Sequence, residues 1–260
     1  MGPIRPKKKG NFYNMKNSLK IKRLVGMATL TSLVIVLQLL ANFIPNFANN
    51  LALALVPITV GAILYGPLAG LFLGAVMSVI IATNPANYSL MVTGLDTFKL
   101  LVVMFIKSPI AGLAAGYAYK AVAHFAKKAE GKKKNALFFV AVFTAAVVVP
   151  TVNTAVYAVG MLFLFEVLGS DSFAIHQLVN NPEATNSKAY GSVVAVVFIY
   201  WININYFLEL GLSILASPAL VTLIKALTRK YNLGFYNDFS KFNLEENEEE
   251  DLQESESEEI

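Results

Sequence analysis

The sequence predicts an all-α membrane protein: a bundle of six transmembrane helices with both termini in the cytoplasm. Three observations predict it. Of the 260 residues 56% are hydrophobic, only 15% are charged, and a soluble domain carries about 25% charged residues. Of the 17 acidic residues, 10 lie between Glu245 and Glu259. The basic residues lie at the ends of long apolar runs, which argues against an ordinary soluble enzyme and a nucleic-acid-binding protein.

The first three helices are predicted from two apolar regions. Leu24–Ile44 is long enough to cross a bilayer, which takes about 20 residues, and it follows a basic N-terminal segment, residues 1–23. The region Leu51–Ile81 contains a Gly-Pro pair near its middle. Because such pairs interrupt helices, the region divides into Leu51–Leu64 and Pro67–Ile81, both short for full spans.

Three more spans complete the predicted membrane domain, residues 24–230. The fourth is Thr97–Tyr119, the fifth is Ala136–Leu168 with a kink at Pro150, and the sixth lies within Tyr190–Leu227. Residues 231–260 form a cytoplasmic tail. From residue 244 onward the tail is acidic and without apolar periodicity, so we expect it to be disordered.

The positions of Lys and Arg predict the orientation. With the N-terminus inside, the inner segments are residues 1–23, 65–67, 120–135 and 225–260, and they hold 18 of the 21 basic residues. Cytoplasmic segments of membrane proteins carry such an excess. The exceptions are Lys99, Lys107 and Lys188.

Polar side chains are predicted in the outer half of the bundle. At 1.5 Å per residue, seven of them lie roughly 20–31 Å from the inner helix ends, beyond the hydrocarbon midplane at about 15 Å: Gln38, Asn42, Lys99, Lys107, Asn153, Asn205 and Glu209. Ionisable groups are costly in lipid, so either Lys107 and Glu209 form a buried pair or the set lines a polar pocket open to the outside. The candidate ligand-binding residues are Gln38, Asn42, Lys99, Lys107, Asn153, Tyr157, Trp201, Asn205 and Glu209.

Small residues lie mainly in the inner half, at spacings of four. Such stripes let helix backbones approach closely, either within the bundle or against another membrane subunit. The candidate partner-docking residues are Ala28, Ser32, Gly66, Gly70 and Gly74.

Motifs for catalysis, metal binding and cofactor binding are absent from the sequence. It has no phosphate-binding G-x-x-x-x-G-K-[ST], no G-x-S-x-G, no H-E-x-x-H and no Cys. Its two histidines, His124 and His176, fall on opposite sides of the predicted membrane. We therefore expect no enzymatic activity, no metal and no cofactor.

The motifs together resemble those of the substrate-binding S-components of energy-coupling factor (ECF) transporters, which are bacterial vitamin importers. The resemblance covers about residues 20–230. It rests on the basic start leading into Ala28-Thr29-Leu30-Thr31-Ser32, on Val56-Pro57-Ile58 and Gly61 followed by Leu64-Tyr65-Gly66-Pro67-Leu68-Ala69-Gly70, and on Pro150-Thr151-Val152-Asn153-Thr154.

The resemblance implies a multi-pass protein of a bacterial plasma membrane that binds a vitamin with high affinity from outside. It implies partners as well: a membrane-embedded coupling subunit and two ATPases. The family docks its coupling subunit through A-x-x-x-A in the first helix, where Ala28 matches and Ser32 replaces the second Ala. The family pocket uses the outer parts of the fourth, fifth and sixth helices with outer loops, and the whole protein is thought to topple to release its ligand.

The ligand stays open among pantothenate, riboflavin and folate. Lys99 or Lys107 with Asn153 and Asn205 could hold a carboxylate. Trp201 and Tyr157 could stack on a ring, and Glu209 would suit a cationic nitrogen. The alternative functions are a self-sufficient small-solute carrier or channel and, as a third class, a structural membrane protein that needs no pocket.

Overall fold

The structure is a computed structural model that describes residues 10–42, 52–83, 97–126, 128–129, 131–167 and 203–231. Within these ranges the regular secondary structure is all α-helical, which confirms the all-α part of the prediction. The helices are α1 (Gly10–Asn42), α2 (Leu55–Tyr65), α3 (Pro67–Thr83), α4 (Thr97–Ala126), α5 (Gly131–Val167) and α6 (Asn203–Tyr231).

Three helices contain apolar stretches long enough to cross a membrane: Arg23–Ala41 in α1, Leu101–Ala126 in α4 and Lys133–Gly160 in α5. The apolar parts of α2, α3 and α6 are shorter. α1 begins well before its apolar stretch, so the predicted N-terminal segment is partly helical.

The predicted break between the second and third helices lies at Gly66. Its φ of 97° falls in the left-handed region that glycine adopts without the Cβ penalty. The Gly66 N–H donates to the carbonyl of Ala62 at 3.1 Å, which closes α2. Pro67 then begins α3, since its fixed φ suits the first helical turn and its missing N–H is not needed there.

α3 and α4 pack backbone against backbone along their small residues. A Cβ added at Gly70 would lie 2.7 Å from the carbonyl carbon of Gly112, and one added at Gly74 would lie 2.6 Å from that of Ser108. At the same interface, a Cβ added at Gly116 would lie 2.8 Å from the nitrogen of Pro67. Such close approach strengthens helix packing in membranes.

The bundle has apolar side chains on its outside and several polar ones within. Leu68, Phe98 and Leu215 are each more than 70% exposed, whereas Asn153 and Glu209 are at most 6% exposed. Lipid surroundings favour this distribution, because lipid accepts apolar side chains at no cost and penalises polar ones.

α1 lies at the periphery and is attached by one face. Leu30 and Val34 are buried against α2 and α3. Near the start of the apolar stretch, a Cβ added at Gly26 would lie 2.9 Å from Cζ of Tyr65. The Arg23 guanidinium donates a long hydrogen bond of 3.4 Å to the Tyr65 carbonyl at the end of α2. The α2–α3 turn is thereby held beside the basic end of α1.

Candidate functional site

A partly buried polar cluster lies among α4, α5, α6 and the residues that precede α2. We define the polar cluster by the side chains of Lys107, Ser108, Asn153, Tyr157 and Glu209. It brings together four of the nine predicted ligand-binding residues. On each of these helices the contributing side chain lies in the half that is nearer to the start of α2 and farther from the turn at Tyr65.

Ser108 and Asn153 join α4 to α5. The Ser108 hydroxyl donates to Oδ1 of Asn153 at 3.1 Å, and both residues are buried, at 0% and 3% exposure. Serine and threonine in helices often donate to the carbonyl four residues earlier, as Thr59 does to Leu55 at 2.8 Å. Ser108 instead donates across the helix interface, which fixes the orientation of the Asn153 amide.

Prolines lie directly beside this bond on both helices. Pro109 follows Ser108 in α4, and Pro150 precedes Asn153 in α5 by less than one turn. A proline has no N–H to give to the carbonyl four residues earlier, so the carbonyls of Phe105 and Ala146 lose their usual partners. Backbone acceptors of this kind suit a hydrogen-bonding ligand.

Lys107 and Glu209 are the charged members of the polar cluster. Nζ of Lys107 lies 4.7 Å from the centroid of the Tyr157 ring, in cation–π geometry. Oε1 of Glu209 accepts a hydrogen bond of 3.0 Å from the backbone N–H of Ala52. The polar cluster therefore combines an amino group and a carboxyl group, each with its own contact in the bundle.

The other predicted ligand-binding residues lie elsewhere or beyond what the structure describes. Gln38 is fully buried on the face of α1 that carries Leu30 and Val34 toward α2 and α3. Asn42 ends α1, Lys99 lies in the first turn of α4 and Asn205 in the first turn of α6, but their side chains fall outside the described ones. Trp201 lies outside the described residues.

Sequence reasoning missed two partners and one polar stripe. Nothing in the sequence singles out Ser108 or the Ala52 N–H, because both act through pairing across helices. Ser213 and Ser217 continue the spacing of four from Glu209, and that spacing was a usable signal. Both serines are fully buried, and within the described residues their hydroxyls have no hydrogen-bond partner.

The candidate docking residues fall into two groups. Ala28 and Ser32 are exposed on α1, and the Ser32 hydroxyl donates to the Ala28 carbonyl at 3.0 Å. Gly66, Gly70 and Gly74 are buried, and the last two face the α4 backbone. Packing of the glycines within the bundle accounts for these contacts. The docking surface proposed below therefore does not include these three glycines.

The polar cluster contains several kinds of group that can contact a small molecule. Its members offer an amide, hydroxyls, an aromatic ring and a pair of opposite charges. No set of three His, Cys, Asp or Glu side chains comes together as a metal site in the part of the chain that the structure describes.

Comparison with known proteins identifies the class and then the family. The described residues form an all-helical protein with three apolar stretches long enough to cross a membrane. The family model described as ECF transporter, substrate-specific component matches residues 22–227, and the chain belongs to that family. No curated protein and no solved structure matches the chain.

Proposed function

We propose that this chain is the high-affinity substrate-binding subunit of an ECF-type importer. It captures a vitamin or related micronutrient, of the pantothenate, riboflavin or folate class, from outside a bacterial plasma membrane. It delivers the ligand through a membrane-embedded coupling subunit and two ATPases. Family membership supports the role, and the polar cluster is the observation that carries the ligand-binding part.

The depth of the polar cluster supports binding from the outside. Ala52 donates its N–H to Glu209. The distance from Ala52 to the turn at Gly66, measured along the helix axis, is about 20 Å. Arg23 and the basic start of α1 lie at that turn, and basic ends mark the cytoplasmic side. The cluster therefore belongs to the outer half of a six-span bundle with both termini inside.

The proposed topology can be tested directly, because the chain has no Cys. A single Ser187→Cys should react with an impermeant maleimide in intact cells, since residue 187 lies between the predicted fifth and sixth spans, on the outer side of the predicted topology. Ser255→Cys, in the acidic tail, should react only after permeabilisation. The reverse pattern would overturn the orientation and the outward-facing pocket with it.

The exposed face of α1 supports docking of the coupling subunit at Ala28 and Ser32. The Ser32 hydroxyl is already bonded to its own helix at 3.0 Å, and so is Thr29, which donates to Val25 at 3.0 Å. Their polar groups therefore need no partner from the docked subunit. Ser32 then presents a small, nearly apolar surface, as an alanine would, and lets another helix approach closely.

Ligand binding is tested on purified protein with Asn153→Leu, which removes the amide and leaves the Ser108 hydroxyl without its acceptor. We expect loss of the molecule that wild type retains, detected by native mass spectrometry, with assembly unchanged. Thr59→Val is the matched control, because Thr59 is equally buried and bonds only within α2. Equal loss in both variants would contradict a binding role for Asn153. Asn205→Leu should behave like Asn153→Leu.

Assembly is tested by co-expression with a coupling subunit and ATPases. Ala28→Trp should abolish co-purification but leave ligand retention intact, since Ala28 is exposed and far from the polar cluster. Leu215→Trp places the same bulk on the exposed face of α6 and is the control. If the chain were a self-sufficient carrier, it would instead transport ligand into liposomes without ATP or partners. That result would contradict the proposed function.

A further inference from the structure

We propose that the acidic tail of this chain, residues 245–259, docks on the basic turn between α4 and α5. The basic turn is defined as residues 120–135. The inference is independent of the proposed function, since it concerns the end of the bundle that is farther from the polar cluster. It rests on the exposed lysines of the turn, on where α6 ends and on the charge of the tail.

The basic turn carries positive charge that the described side chains do not offset. Its one acidic residue is Glu130, and its six lysines are Lys120, Lys127, Lys128, Lys132, Lys133 and Lys134. Lys120, Lys128 and Lys133 are exposed. Among the side chains that the structure describes, the only carboxylate is that of Glu209, which lies in the polar cluster. The described part of the bundle therefore offers these three lysines no acidic partner.

The basic turn lies at the Gly66 end of the bundle. A Cβ added at Gly116 would lie 2.8 Å from the nitrogen of Pro67, so α4 passes the α2–α3 turn at Gly116. The helix then continues for ten more residues to Ala126, a distance of about 15 Å. The turn that follows is therefore on the far side of the Gly66 level from the polar cluster.

α6 ends at the same end of the bundle. Glu209 accepts a hydrogen bond from Ala52, before the start of α2, and Val221 is only 1% exposed. Because α6 packs against α2 and α5, the burial of Val221 indicates that α6 runs beside them toward the level of Gly66. From Val221 to Tyr231 the helix extends about 15 Å farther. The tail thus starts near the basic turn, whichever side of the membrane this end occupies.

The acidic tail has the charge and the reach to occupy the basic turn. Residues 245–259 contain 10 of the 17 acidic residues and no basic residue. The chain from Tyr231 to Glu245 can extend as far as about 45 Å, at roughly 3.3 Å per residue. α5 begins at the turn and packs directly on α6, and packed helices lie about 8–10 Å apart. The tail therefore spans the separation with length to spare.

The basic start of α1 is the other positively charged segment near this end, but it is less well placed. α1 packs mainly against α2 and α3, whereas α6 packs against α5. A tethered segment has the higher effective concentration at the nearer site. Single exposed ion pairs contribute little, so the tethering and the number of charges together favour the basic turn as the docking site.

The test measures the proximity of the tail and the turn in the full-length chain, which has no native Cys. Asn135→Cys labels the turn at an exposed, uncharged position, and Ser255→Cys labels the tail. A short bismaleimide joins the two thiols in purified protein, and gel mobility gives the rate. The reaction of each single-Cys variant with a monofunctional maleimide corrects for thiol reactivity. We expect the corrected rate to fall about fivefold or more between 0.1 M and 1 M NaCl, as the Debye length shortens from about 10 Å to about 3 Å.

Charge variants of the turn test the cause of this proximity. Lys120→Gln/Lys128→Gln/Lys133→Gln, made in the same Cys pair, should slow cross-linking at 0.1 M NaCl by about fivefold, since three weak ion pairs are lost together. Lys120→Arg/Lys128→Arg/Lys133→Arg is the matched control, because it keeps the charge, and it should cross-link at the original rate.

A variant of the tail tests the same contact from the other side. Glu248→Gln/Glu249→Gln/Glu250→Gln should also slow cross-linking, and it leaves the helices unaltered, so it serves where the lysine variant does not fold. Combining the Gln variants of turn and tail should slow the reaction little further than either alone, because both remove the same interaction. Fully additive effects would mean that tail and turn act separately, and they would overturn the proposal.

Anionic phospholipid headgroups are the competing occupant, because lysines near a membrane surface attract them. The same rates are therefore measured in nanodiscs of phosphatidylcholine alone and of phosphatidylcholine with phosphatidylglycerol. We expect the Gln variant of the turn to slow cross-linking in both. Slowing that is confined to phosphatidylcholine would assign the lysines to lipid and overturn the proposal. Equal rates before and after neutralisation of the turn, or a rate that does not respond to salt, would overturn it as well.

Discussion

Gly70→Ala tests the backbone contact between α3 and α4 most directly. The new Cβ would lie 2.7 Å from the Gly112 carbonyl carbon, whereas ordinary contact begins at 3.4 Å. The helices would therefore have to separate by at least 0.7 Å, and gaps of 0.5–1 Å forfeit a quarter to a half of each dispersion contact along an interface. Overpacking of this kind costs about 1–3 kcal/mol, and the rigid backbone of Gly112 places it toward the upper end.

The helix propensity of alanine offsets up to about 1 kcal/mol of that cost. We expect a net loss of about 2 kcal/mol and, at 2–4 °C per kcal/mol for 150–250 residues, a melting temperature lower by about 4–8 °C. Thermal unfolding in detergent, followed by light scattering, measures the shift. Gly211→Ala is the control, because a Cβ there meets nothing within 4 Å, and it should be neutral or stabilising. If Gly70→Ala melts no lower than Gly211→Ala, the α3–α4 contact is not as close as described.

Three further substitutions give separable outcomes. Gly26→Ala places a Cβ 2.9 Å from Cζ of the buried Tyr65, so it should displace the inner end of α1 and weaken co-purification with the coupling subunit while ligand retention stays intact. Gly74→Ala presses on the carbonyl carbon of Ser108 at 2.6 Å and should weaken ligand binding severalfold in calorimetry, although residue 74 is no part of the polar cluster. Ser32→Ala removes a hydroxyl that is bonded only to its own helix and should leave co-purification unchanged. A loss of assembly would mean that the partner uses that hydroxyl.

Helix positions could be predicted from the sequence because they depend on local properties. Leu51–Ile81 contains a residue pair that cannot continue a helix, and the break lies at Gly66 with a φ of 97°. The length of the apolar stretches in the sequence predicted the positions of α1, α4 and α5, since each of these stretches exceeds 18 residues. A one-dimensional pattern is sufficient for these features, since each is decided by residues close together in the chain.

Which residues meet could be predicted only in part. The sequence predicted Lys107, Asn153 and Glu209 in the outer half of the bundle, and it offered Lys107 and Glu209 as a possible buried pair. The Ala52 N–H that Glu209 uses is a main-chain group 157 positions away, and no side-chain pattern marks it. The stripe that includes Gly70 and Gly74 was equally compatible with a neighbouring helix of the bundle and with a helix of another subunit, because a glycine permits the close approach of either one.

Ser108 connects the polar cluster to the small-residue interface between α3 and α4. The sequence patterns had predicted these as separate features of the outer and inner halves of the bundle. The Ser108 hydroxyl donates to Asn153 in the polar cluster, while its carbonyl faces Gly74 in the small-residue interface. Pro109, the next residue, removes one backbone hydrogen bond from α4 at this level, so the backbone here depends more on its packing against α3. The close contact at Gly74 therefore orients the Asn153 amide through a single residue, and the same glycine stripe that packs the helices also positions the proposed ligand site.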